Sequence, residues 1–81
     1  MASDAQVYSN AAGNLFGAID GTNKLFETGV LFRMVTVQRN GVTMTLGVDY
    51  IFGIGSQFIN FVDAQTPQPG DIITLTGYPL A

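Results

Sequence analysis

No cysteine and no histidine occur among the 81 residues, and only 11% of the residues are charged. Without cysteine there is no disulfide to staple the fold and no zinc–thiolate site. Without histidine the commonest general base and metal ligand is missing. Ser9, Ser56 and the threonines therefore have no imidazole to activate them, and Lys24 alone is a poor base when exposed. Lys24, Arg33 and Arg39 are the only cations against six carboxylates, a net charge of −3. Three scattered cations cannot neutralise a phosphate backbone, so nucleic acid is not an expected partner. No apolar run approaches the ~18 residues that would span a membrane as a helix, so no membrane partner is expected. The N-terminal MASDAQVYSN lacks a basic region and a continuous apolar core, so it does not read as a signal peptide. No catalytic signature is left, and the expectation is a chain that is not an enzyme and uses neither metal nor cofactor.

Apolar residues, by contrast, make up 47% of the chain. A folded protein of 8.6 kDa should expose roughly 4,700 Å² against about 12,500 Å² unfolded, burying about 60%. A core that small is marginal, and with no disulfide or metal at hand a second protein chain is the natural staple. Low charge with high apolar content also suits a surface covered by neighbours.

The most informative stretch runs from Met34 to Phe61, centred on Asn40-Gly41. These two residues adopt φ > 0 at least cost, as a two-residue type I′ turn requires at both central positions. Val35-Thr36-Val37 before the turn and Thr43-Met44-Thr45-Leu46 after it alternate apolar with polar, which predicts a β-hairpin. Val35, Val37, Met44 and Leu46 are expected to face inward. Tyr50 and Phe52 alternate in the next strand, Gly53 to Ser56 reads as a turn, and Gln57 to Val62 as a strand with Ile59 and Phe61 inward. Asp63 to Gly70, with two prolines, is a loop. Asp71 to Tyr78 is the last strand, with Ile73 and Leu75 sharing a face and a bulge at Gly77 expected to return Tyr78 to it. An earlier strand lies between Lys24 and Thr28, after an Asp20-Gly21 turn. Residues 1–13 are small and polar and read as an N-terminal arm, disordered alone or extended and docked on a partner. The expected architecture is all-β: an antiparallel sandwich or partly open barrel of five or six short strands over residues 14–81, with an extended arm.

The six carboxylates are Asp4, Asp20, Glu27, Asp49, Asp63 and Asp71. Asp49, Asp63 and Asp71 adjoin turns, where aspartate bonds nearby backbone amides, so they read as turn formers and not as an acid/base pair. No loop carries the spaced acidic pattern of a calcium site. Arg39, just before the turn, reads as a charge at the hairpin tip. Tyr50 and Tyr78 alternate with core residues and read as core tyrosines with a hydroxyl at the edge. Once one two-layer core is filled, a surplus of large apolar residues remains. With the arm's Val7 and Tyr8, the residues Phe32, Met34, Ile51, Phe58 and Ile72 form the expected contact surface, with Ile54 nearby.

An ordered set of short motifs runs through the domain: Leu25-Phe26-Glu27-Thr28, Arg39-Asn40-Gly41, Gly47-Val48-Asp49-Tyr50, Ile59-Asn60-Phe61 and Gly70-Asp71-Ile72-Ile73, closing at Tyr78. In these motifs the sequence from Ala18 onward resembles a small β-domain that recurs in structural proteins of tailed-phage virions, among them capsid decoration (cement) and head- or tail-fibre components. Gly77 displaces the final tyrosine by one from that pattern, and Met34 stands where turn residues are commoner. The resemblance implies a virion protein made in the host bacterial cytoplasm, whose partner is the major capsid protein or another virion protein. It also implies a homo-oligomer, a trimer by analogy with the cyclic symmetry of phage surfaces. A chain with its own Met1 suits a separately added decoration protein that stabilises the capsid lattice. The alternative is a tail or neck fibre component that contacts host carbohydrate.

Overall fold

Alternation of apolar and polar residues sets the two long strands. The computed structural model, which describes residues 4–80, places β3 at Phe32–Arg39 and β7 at Ile73–Pro79, paired antiparallel. Val35, Val37, Ile73 and Leu75 are buried, while Met34 and Thr36 between them are exposed. β1 (Gln6–Ser9) lies on the other side of β7, and β4 (Val42–Thr43) pairs with the end of β3, giving a sheet of order β1-β7-β3-β4. A second antiparallel sheet has the order β2-β6-β5, from β2 (Leu25–Glu27), β6 (Phe58–Phe61) and β5 (Tyr50–Ile51). No strand is shared, so the fold is an open two-layer sandwich and not a barrel.

Between the layers Phe26, Tyr50, Ile59 and Phe61 meet Phe32, Val35, Val37, Ile73 and Leu75, with Leu15 and Met44 closing the ends. The rings of Phe26 and Phe61 meet edge to face at 5.5 Å, and those of Tyr8 and Phe32 at 5.4 Å, the arrangement that a ring quadrupole favours. The accessible surface is 4517 Å².

The hairpin turn forms as expected: Asn40 has φ 51° and Gly41 φ 84°, and Arg39 pairs with Val42 across it. Ile72, just before β7, is tied to this turn through its N–H to Asn40 Oδ1 at 2.8 Å.

Several expectations are corrected. Residues 1–3 of the expected arm lie outside the described residues; Gln6–Ser9 is extended and docks on the chain's own β7, adding a seventh strand, and residues 10–13 form a turn. Asn14 fastens its outer edge: Ser9 N–H donates to Asn14 Oδ1 at 2.8 Å and Asn14 Nδ2 to the Val7 carbonyl at 3.3 Å. Leu46 is exposed because β4 ends at Thr43. The Asp49 carboxylate then accepts the Thr45 N–H at 2.8 Å, and the Val48 and Asp49 N–H groups donate to the Thr45 carbonyl, so a turn replaces the alternation. The bulge lies in β3 and not at Gly77. Phe32 pairs with Pro79 and Met34 with Tyr78, so Arg33 is the extra residue. That insertion reverses the alternation once and drives Phe32 into the core at 1% exposure. Gly77 keeps the inner position of β7, and Tyr78 turns outward, 39% exposed.

Candidate functional site

Pairing in the smaller sheet assembles an apolar face from segments far apart in sequence. Phe26 and Ile59 point into the core, so Leu25, Glu27, Phe58 and Asn60 point out. Leu25 and Ile51 both pair with Asn60, giving a row Leu25–Asn60–Ile51 across three strands. The next row is Phe16–Glu27–Phe58, because Phe16 extends the sheet through a bridge to Glu27, exchanging N–H···O bonds of 2.8 and 2.9 Å. Phe16 is 54% exposed, Leu25 49%, Ile51 61% and Phe58 39%. Four of six grid positions are thus large and apolar. Together they present on the order of a few hundred Å², the size at which exposed patches mark contact surfaces.

The seven residues expected to make the contact surface do not share one face. Ile51 and Phe58 lie on this face, whereas Val7 and Met34 are exposed on the outer side of the four-stranded sheet. Ile72 is half-exposed beside the hairpin, Tyr8 is half-buried against Phe32, and Phe32 belongs to the core. Phe16 and Leu25 complete the face and were not foreseen. The signal for Leu25 was the excess of large apolar residues from Lys24 to Phe32, too many for one buried side, whereas Phe16 joins the face only through its bridge to Glu27.

The charged groups mostly serve the fold. Lys24 Nζ lies 2.7 Å from Asp63 Oδ1 and holds that carboxyl below its usual range. Two backbone N–H groups, of Thr22 and Asn23, hold Asp20 low in the same way. Asp71 is lowered by the Gln68 N–H, the Asn40 amide and the Arg39 guanidinium. Arg39 is not a solvated tip charge: it folds back, donating from Nη1 to the Gln65 carbonyl at 3.1 Å and from Nη2 to Gln65 Oε1. Arg33 is then the one cation with no ion pair among the described residues. Burial pushes the Tyr50 phenol up, against a backbone hydrogen bond from Val37 that lowers it.

A shallow groove of about 500 Å³ runs beside the apolar face, past Phe16, Asp20, Asn23 and Glu27. Asp20 and Asn23 spend their polar atoms on neighbouring backbone groups, leaving Glu27 as the groove's uncommitted polar side chain. No group of three or more metal-ligating side chains converges among the described residues. Among the described residues no helix is long and apolar enough to cross a membrane. No protein-family model, curated protein or solved structure matches the chain.

Proposed function

We propose that this chain is a non-enzymatic structural protein of a tailed-phage virion, a capsid decoration subunit that grips the major capsid lattice. The observation that supports it is the Phe16–Leu25–Ile51–Phe58 face, presented on a rigid sheet whose opposite side is core. The motif resemblance supplies the virion setting. The mechanism is adhesive: each 100 Å² of apolar face covered by a neighbour contributes roughly 2.5 kcal/mol, less the costs of association and side-chain ordering. Such coverage binds only the folded state, so it also adds the stability that a small core lacks.

Quantitative mass spectrometry of purified particles tests the role. A decoration subunit is present in proportion to the major capsid protein. A count limited to a few copies per particle would transfer the chain to a tail or neck fibre, and absence from particles would end the virion reading.

A further inference from the structure

β3 is paired along its length on the β7 side, but on the other side backbone partners meet it only at its two ends, and the Val37 N–H is held by the Tyr50 phenol. Near the hairpin the Met44 N–H closes on the Val37 carbonyl at 2.8 Å. At the far end Phe32 donates to the Ser56 carbonyl at 3.0 Å and accepts from Gly55 at 2.8 Å. The Asn40 N–H bonds the Ile72 carbonyl at 2.8 Å, which fixes the phase: even-numbered residues from Met34 onward address β7. The N–H and C=O of Val35 therefore face the gap between the two closures, and no described residue bonds them there. An unpaired strand edge of this kind is a template for another strand.

A cleft of about 180 Å³ opens against that gap, lined by Met34, Val35, Leu46, Phe52 and Ile54, with Arg33 at its rim. Its size suits one leucine- or phenylalanine-sized side chain. Ile54, 83% exposed, stands as an apolar wall with nothing packed on it. Lys24 is paired with Asp63, and Arg39 is held by Gln65 and Asp71, so Arg33 is the guanidinium left to meet an outside anion. It does so on a chain of net charge −3, which repels acidic segments elsewhere.

We propose that this edge takes an extended, acidic-apolar segment of a partner polypeptide by strand addition. Main-chain bonds would form to Val35, one large apolar side chain would fill the cleft, and a carboxylate two residues away would pair with Arg33. The site is separate from the Phe16–Leu25–Ile51–Phe58 face and does not depend on it.

The test is a titration of the whole ¹⁵N-labelled protein with acetyl-TLTDT-amide, followed by amide shifts and by hydrogen exchange at Val35. The expected result is a saturable shift of the Val35 amide with slowed exchange, in the millimolar range usual for so short a peptide. The charge-swapped peptide acetyl-TLTKT-amide and the variant Arg33→Gln with the original peptide should each bind about tenfold more weakly, the loss of one charge-assisted pair. The peptide swap needs no variant, so it decides the point even where Arg33→Gln disturbs the bulge. No shift at Val35 at saturating peptide, or equal binding of both peptides, overturns the proposal. Equal binding of decanoate with the same Val35 response also overturns it, making the cleft a site for fatty acids. Loss of particle attachment in variants of the apolar face leaves it standing.

Discussion

Phe32 packs so closely on Gly77 that a Cβ at position 77 would stand 2.7 Å from Phe32 Cδ1 and 3.0 Å from the Met34 carbonyl oxygen. The bulge at Arg33 turns the Phe32 ring inward, and the missing side chain at Gly77 makes room for it. Gly77→Ala should therefore destabilise the domain by roughly 1–3 kcal/mol through overpacking. Chemical denaturation measures this. Phe32→Leu introduced beside Gly77→Ala should cost less than the sum of the two single changes, as expected of residues in contact. Strict additivity would show that the contact carries no energy.

The turn offers a contrast, because a Cβ at Gly41 meets nothing within 4 Å. Gly41→Val should cost roughly 1–3 kcal/mol through backbone strain alone, since a β-branched residue resists φ near 84°. Gly41→Asn should stay much closer to wild type, because asparagine tolerates the left-handed region. Thermal melting separates them: 1 kcal/mol shifts the midpoint of a domain this size by about 4–8 °C. Equal melting of the valine variant and wild type would rule out the type I′ turn.

Stability should fall at both ends of the pH range. Asp20, Asp63 and Asp71 are all lowered from an ordinary value of 3.8 in the folded state, Asp71 chiefly by the Gln68 N–H. Their contribution is present above that value and is lost as pH falls through the lowered folded values. Tyr50 is raised from 10.0 by burial, so its contribution is present below 10 and is lost as pH rises through the raised folded value. Urea midpoints against pH should show both limbs. Asp71→Asn should flatten the acid limb and Tyr50→Phe the alkaline one. An unchanged slope in either variant would remove that group from the account.

Neighbouring residues on β2 should separate folding from docking. Phe26 is fully buried, and Phe26→Ala should cost roughly 3–5 kcal/mol, enough to unfold a domain this small. Leu25→Ser and Ile51→Ser, on the outer face, should change stability by about 1 kcal/mol or less and leave the far-UV circular dichroism intact. The double variant should nonetheless be lost from purified particles. Retention on particles would move the lattice contact to another surface, and loss of structure would place those residues in the core.

Local physics was legible in the chain itself. The Asn40-Gly41 turn depends on two residues that accept positive φ. The inward positions Val35, Val37, Ile59, Phe61, Ile73 and Leu75 follow from a period of two that neighbours along the chain enforce. The two-layer β architecture followed from those strands and the turns between them. What required pairing across the chain did not show in it. Phe32 looked like surplus surface because one extra residue in β3 opposite β7 reverses its direction, and only the register between those strands fixes where that residue falls. Leu46 left the core because Asp49 closes a turn where a longer strand was expected. The apolar face brings together Phe16, Leu25, Ile51 and Phe58, drawn from both halves of the chain. Hydrogen bonding between β2, β6 and β5 is what sets them side by side, and no spacing along the sequence carries that relation.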